Sequence, residues 1–100
     1  FKHLVLVKFK DDVVFDEIIE GMKTLVNDLT LVVSFIWGMD NESHEMLRQG
    51  FSHVFDMTFR NKEDFISFTS HPKHAEFSKT FSAAVEKAVL LDFPACTVKS

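Results

Sequence analysis

The first segment of the chain that reads as regular structure is apolar at both odd and even positions. Between Lys2 and Lys10, Val5 and Val7 point to one side of an extended chain, and Leu4 and Leu6 point to the other. Antiparallel strands that face water on one side alternate apolar and polar residues. The segment therefore predicts a strand with both faces covered.

The next segment changes period. From Phe15 to Leu29 the apolar residues recur at i, i+3, i+4 and i+7, which predicts an amphipathic helix. Further strands are predicted at Val32–Met39, Phe51–Phe59 and Val89–Phe93, with Asn61 as the N-cap of a short helix. One helical turn is predicted within 43–49. Pro72 opens a last helix whose apolar stripe comprises His74, Phe77, Phe81, Ala84, Val85 and Ala88.

The resulting order, β-α-β-β-α-α-β over residues 1–100, predicts a single α+β domain of ferredoxin-like pattern, with helices on one face of an antiparallel four-stranded sheet. The first, second and fourth strands are nevertheless apolar on both faces, and the chain has no further helix to cover the second face. A second copy of the chain is the simplest cover. This hypothesis places Leu4, Leu6, Val32 and Ile36 in a homodimer interface.

Composition narrows the function classes. The formal net charge is −4. The sequence shows no stripe of Lys and Arg, so its charge pattern does not favour nucleic acid as a partner. The longest apolar run, 31–37, is too short to span a membrane. With a single cysteine, Cys96, no internal disulfide is possible, which favours a cytoplasmic or nuclear location.

Histidine offers the most promising chemistry, since the chain contains no Tyr. By strand parity and helical spacing, His3, His53, His71 and His74 are expected to point into one partly buried space, with His44 in an exposed loop. A neutral His in an apolar pocket can act as a general base. Alternatively, these histidines serve only as hydrogen-bonding partners of the backbone. The i, i+3 spacing of His71 and His74 permits a metal site, but no further ligand pattern supports one.

Several segments together resemble the stress-responsive dimeric α/β-barrel (Dabb) domain proteins of plants. They lie in the family order over nearly the whole chain. They are Lys2-His3-Leu4, Phe9-Lys10-Asp11, Ser34-Phe35-Ile36-Trp37-Gly38-Met39-Asp40, Arg48-Gln49-Gly50-Phe51-Ser52-His53, Met57-Thr58-Phe59, Ser70-His71-Pro72-Lys73-His74 and Val89-Leu90-Leu91-Asp92-Phe93. The resemblance implies a ferredoxin-like fold and a homodimer whose two sheets close into a barrel.

One branch of this family consists of polyketide cyclases, which perform an intramolecular aldol condensation without a cofactor. Its catalytic His matches His74, and its other histidines match His3, His53 and His71. The pocket implied by the resemblance comprises Ile19, Met22, Phe55, Phe68, Phe77 and Val85. Cyclase-type members carry Tyr where this chain has Phe68 and Met22, and an aromatic residue where it has Val85, so the polar partner of the base is missing.

Three hypotheses follow. The first is a dimeric stress-response protein that binds a small hydrophobic ligand between sheet and helices, without catalysis. The second is a cofactor-free, polyketide-cyclase-like lyase with His74 as general base. The third is a structural or defence role that depends on a stable oligomer. None of the three requires a cofactor or a metal.

Overall fold

The computed structural model describes residues 1–100 and contains one four-stranded sheet with four helices. The strands lie in the order β2-β3-β1-β4, and every neighbouring pair is antiparallel. The predicted α+β, ferredoxin-like order is confirmed. The elements are β1 (Lys2–Phe9), α1 (Phe15–Asp28), β2 (Val32–Met39), α2 (Glu45–Arg48), β3 (His53–Phe59), α3 (Lys62–Thr69), α4 (Pro72–Ala84) and β4 (Val85–Phe93).

Helix α1 packs the predicted apolar stripe onto one face of the sheet. Ile19 and Met22 form a buried cluster with Val5, Val7 and Phe55 from the two central strands. A second buried cluster lies at the other end of α1, where Leu25 and Leu29 meet Met57, Phe59 and Phe68. The core therefore lies between the helices and β1–β3, as the two periodicities require.

The starts of the later helices follow from their first residues. The Asn61 side chain accepts a hydrogen bond from the backbone N–H of Asp64 at 2.8 Å, which confirms it as the N-cap of α3. Pro72 takes the first position of α4, where its missing N–H has no helical partner to lose. The imidazole of His71 caps the same helix by accepting from the backbone N–H of Lys73 at 3.1 Å.

Two strand boundaries differ from the sequence prediction. Strand β3 begins at His53 rather than Phe51. Strand β4 begins at Val85 rather than Val89, so Val85 and Ala88 belong to the sheet and not to the last helix. The longer strand completes the ladder of β1, pairing Val7 with Ala88 and, after a register shift, Phe9 with Val85. A helical spacing cannot reveal this, because residues 84, 85 and 88 suit either pattern.

Val32 is also on the other face from the one predicted. The register of β2 against β3 shifts between Val32 and Ser34, so that Val32 pairs with Phe59. As a result Val32 packs against the second core cluster under the helices. A one-residue shift exchanges the faces of a strand, and the placement of Val32 beside Ile36 is therefore wrong.

The sheet face away from the helices carries a band of apolar side chains, here named the open sheet face. Its rows follow from the strand register. Ile36 is 63% exposed and Leu91 is 45% exposed. Asp56 on this face is paired with Lys2 of the same chain at 3.3 Å. The apolar residues of the open sheet face are Leu4, Leu6, Ile36, Val54, Val89 and Leu91.

The loop between β2 and β3 contains the short helix α2, in the region where one turn was predicted. The carboxylate of Asp40 accepts hydrogen bonds from the Ser43 hydroxyl and from the backbone N–H groups of Ser43 and Glu42. These donors lower the pKa of Asp40 to about 2. His44 is exposed, as expected, and caps α2. No helix is both long and apolar enough to cross a membrane.

Candidate functional site

A cavity of about 430 Å³ lies between the sheet and helices α1, α3 and α4. We name it the sheet–helix cavity. Of the 18 residues that line it, 12 are hydrophobic, so its walls suit an apolar ligand. Leu90 lines the cavity and is nevertheless 60% exposed, which places the opening along the edge strand β4. Its lining includes Met22, Phe55, Phe65, Phe68, Phe77, Phe81, Val85 and Leu90.

Two of the polar lining residues form a short hydrogen bond. The register of β1 against β4 places His3 opposite Asp92, and His3 Nδ1 lies 2.5 Å from Asp92 Oδ1. The His3 side chain is 12% exposed and the Asp92 side chain 38%. Asp92 therefore stands nearer to solvent and fixes the ring of His3 inside the cavity, tilted against Phe65 at 5.3 Å between ring centroids.

His74 enters the same cavity from the first turn of α4. The rings of His74 and Phe68 make an edge-to-face contact, with centroids 5.1 Å apart. The Nδ1 atom of His74 lies 3.4 Å from the hydroxyl oxygen of Ser78, one helical turn further on. Burial lowers the pKa of His74 below its ordinary value, and the charge of a protonated His3 lowers it further. At neutral pH the ring is therefore uncharged, with a lone pair available to accept a proton.

The other two candidate histidines lie elsewhere. His53 is opposite Val7 in the sheet, stacks on Phe15 at 4.5 Å and accepts or donates a hydrogen bond at the Ser52 hydroxyl at 2.7 Å. Burial lowers the pKa of His53. His71 caps α4 through its ring nitrogen. Neither lines the sheet–helix cavity, so the expectation that four histidines converge is wrong; His3 and His74 alone do.

No group of three or more His, Cys, Asp or Glu side chains is arranged to hold a metal ion. The polar groups of the cavity other than His3, His74 and Asp92 are the hydroxyls of Thr69, Ser78 and Ser82. The arrangement provides one neutral imidazole, one carboxylate–imidazole pair and three hydroxyls in an apolar chamber. It can accept a hydrogen bond from a ligand hydroxyl or remove a proton from an acidic carbon.

Comparison with known proteins identifies the family of this chain. The model of the stress-responsive A/B barrel domain matches residues 1–95. The chain belongs to this family. The resemblance inferred from the sequence segments is thereby confirmed. An A/B barrel domain-containing stress-response protein of Arabidopsis thaliana is 59% identical over 100 residues, which is 100% of this chain and 90% of that protein.

Two enzymes are also similar to this A/B barrel domain. Olivetolic acid cyclase of Cannabis sativa is 28% identical over 95 residues, covering 92% of this chain and 93% of the cyclase. The structure of hydroxynitrile lyase from Passiflora edulis superposes with a TM-score of 0.80 at 30% identity, covering 93% of this chain and 95% of the lyase.

Among solved structures, a crystal structure of an Arabidopsis thaliana protein superposes with a TM-score of 0.89 at 36% identity, covering 99% of this chain and 98% of that one. A dimeric ferredoxin-like protein of unknown function from Thermobifida fusca gives a TM-score of 0.77 at 14% identity, covering 94% of this chain and 89% of that one. The second likeness concerns the fold.

Five of the six apolar pocket residues expected in this A/B barrel domain line the cavity: Met22, Phe55, Phe68, Phe77 and Val85. Ile19 does not line the cavity and is buried in the first core cluster. Asp92 was not among the site residues expected from the sequence. Asp92 is an acidic residue within the apolar segment that predicts the last strand, and it lies on the same face as Leu90. Antiparallel pairing with β1 places it opposite His3. That pairing becomes visible only once the register is known.

Proposed function

We propose that this A/B barrel protein binds a small, largely apolar ligand in the sheet–helix cavity. The observation that supports the proposal is a chamber of about 430 Å³ with 12 hydrophobic residues among its 18 lining residues. Small-molecule pockets are of this size and combine apolar walls with a few polar groups. Here those polar groups cluster at His3, Asp92 and His74.

The volume and lining indicate the size of the ligand. A benzene ring with a five-carbon chain fits a chamber of this size and buries its methylenes at about 0.8 kcal/mol each. Part of that gain offsets the loss of translational and rotational freedom. For 4-pentylphenol we expect a Kd on the order of 10–100 µM.

The test is a calorimetric titration with 4-pentylphenol in wild type and in two neighbouring variants of α4. Ser82 lines the cavity, whereas the exposed Ala83 does not. Ser82→Trp is expected to fill the mouth and weaken binding at least tenfold, and Ala83→Trp is expected to leave binding unchanged. Equal affinity in both variants, or no binding to the wild type, contradicts the proposal.

A second candidate function is catalysis with His74 as general base. The observation that favours it is an uncharged, half-buried imidazole held in the cavity by Ser78 and Phe68, in a chain similar to a cyclase and a hydroxynitrile lyase. In a cyclisation, His74 would take the proton of a methylene between two carbonyls. The resulting carbanion forms a carbon–carbon bond to a distant carbonyl, whose oxygen then receives the proton.

Phe68 limits this second function, because an apolar ring faces His74 where a phenol would donate a proton. Loss of a positioned proton donor typically costs about a hundredfold or more in rate. A linear tetraketide-CoA thioester with its synthase is the direct assay. A cyclised product that disappears in His74→Ala and persists in His44→Gln supports the lyase. The same product yield with and without the protein rules the lyase out.

We also infer that the protein is a homodimer that buries the open sheet face. Leu4 lies between Ile36 and Leu91 in one row, separated from Ile36 by Asp56, and Leu6 lies between Val54 and Val89 in the next. Large exposed apolar patches mark interaction surfaces. Lys2 already neutralises Asp56 within the face, so a second copy need not supply a cation. The structurally similar Thermobifida protein is described as dimeric, which supports the same assembly.

A further inference from the structure

The lining of the sheet–helix cavity contains a negatively charged side chain and no Lys or Arg. Asp92 is the only acidic residue in this lining. His3 is bonded to one oxygen of Asp92. A bound anion would therefore enter a low-dielectric space beside a carboxylate, with no permanent cation to pair with.

The lysines near the ends of the neighbouring strands are engaged elsewhere. Lys2 is bonded to Asp56 and to the Thr58 hydroxyl on the open sheet face. Lys87 donates to the carbonyl of Gln49, and its ammonium lies 4.5 Å from the centre of the Phe51 ring. Neither is placed to neutralise an anion in the cavity.

The N-terminus of α4, from which His74 projects, is also closed to anions. Helix N-termini attract negative groups through their unpaired backbone N–H donors. In this helix the ring of His71 accepts the N–H of Lys73, and the His71 carbonyl accepts those of His74 and Ala75. Burial itself keeps the ring of His74 uncharged.

The groups that do face the cavity are suited to a hydrogen-bond donor. The uncharged ring of His74 can accept through a nitrogen, and Asp92 can accept through Oδ2, since Oδ1 is bonded to His3. We propose that the sheet–helix cavity selects uncharged ligands that carry a hydroxyl group, such as phenols and alcohols, and discriminates against ligands of the same shape that end in a carboxylate. This inference rests on the proposed ligand-binding function.

The experiment compares 4-pentylphenol, 4-pentylbenzoate and pentylbenzene by calorimetry at about pH 7.5, where a phenol is uncharged and a benzoate is charged. In the wild type, the phenol is expected to bind at least tenfold more tightly than the benzoate and several-fold more tightly than pentylbenzene. In Asp92→Asn, the affinity for the benzoate is expected to rise at least fivefold, while that for the phenol stays within about threefold, because the ring of His74 still accepts from the phenol hydroxyl.

A second variant protects the test against misfolding of Asp92→Asn. His3→Gln keeps the carboxylate and removes the group that can neutralise it, so the discrimination is expected to persist or increase. If the phenol binds and the benzoate binds equally well or more tightly, the inference on selectivity fails and the binding function stands. If none of the three compounds binds, the proposed function itself fails.

Discussion

Gly21 in helix α1 determines how closely α1 approaches α4. A Cβ atom added at Gly21 would lie 2.8 Å from Cε1 and 3.2 Å from Cδ1 of Phe77. Real Cβ atoms do not approach carbon that closely, so the ring must move in Gly21→Ala. Phe77 lines the sheet–helix cavity, and the cavity offers the free space. We therefore expect Gly21→Ala to push the ring into the ligand chamber.

Two opposing contributions set the change in stability. Replacing Gly by Ala inside a helix stabilises it by up to about 1 kcal/mol. Overpacking of a core costs about 1–3 kcal/mol, and the neighbouring cavity keeps this cost near the lower end. The net destabilisation is expected to be between zero and about 1 kcal/mol, and each kcal/mol lowers Tm by about 4–8 °C in a domain of this size. The affinity for 4-pentylphenol is expected to fall about tenfold, or about 1.4 kcal/mol.

The assay is a double-mutant cycle of Gly21→Ala and Phe77→Leu, followed by thermal unfolding and by titration with 4-pentylphenol. The shorter Leu side chain removes the ring edge, so Gly21→Ala is expected to be stabilising in that background and to have little effect on binding. A raised Tm together with an unchanged affinity in Gly21→Ala would show that the Phe77 ring does not move into the cavity.

The remaining predictions concern assembly, pH and the β2–β3 loop. Leu6→Asp and Ile36→Asp are each expected to dissociate the homodimer, because an unpaired buried charge costs several kcal/mol. Sedimentation of each variant should then give the mass of one chain. An unchanged dimer in both variants would contradict the placement of the interface on the open sheet face. Burial lowers the pKa values of His53 and His74, so below the ordinary His pKa of about 6.5 the unfolded chain binds more protons. The free energy of unfolding is therefore expected to fall as pH drops from about 7 towards 5. In His53→Gln and in His74→Gln, chemical denaturation should show a smaller fall over this pH range than in the wild type. The pKa of Asp40 is about 2, so the β2–β3 loop is expected to stay ordered until well below pH 4. Asp40→Ala should speed amide hydrogen exchange in residues 42–43 at neutral pH. Unaltered exchange would show that the Asp40 carboxylate does not hold the loop.

The fold was largely predictable because each main element carries its period in its own residues. The apolar stripe of α1 and the two apolar faces of β1 correspond directly to the sheet–helix layers. The face of Val32 was not predictable, since a register shift against Phe59 depends on the partner strand and leaves no mark in β2 itself. The early start of β4 at Val85 likewise depends on pairing with Phe9.

The candidate site was predictable only in part, because strand parity gives the face of a residue and not its position along the strand. His3 lies opposite Met57, whereas His53 is four residues further along the same strand β3. At about 3.3 Å per residue, that separation is about 13 Å. His53 therefore shares the face of His3 and lies too far away to share its cavity. Asp92 joined the site through cross-strand pairing, which no single segment reveals.

Solution NMR of the protein saturated with 4-pentylphenol tests whether the sheet–helix cavity is a ligand site. We expect nuclear Overhauser effects from the pentyl chain to the ring protons of Phe68 and Phe77, and from the phenol ring to His74. Contacts confined to the open sheet face, around Leu4 and Ile36, or no contacts at saturating ligand, would contradict this expectation.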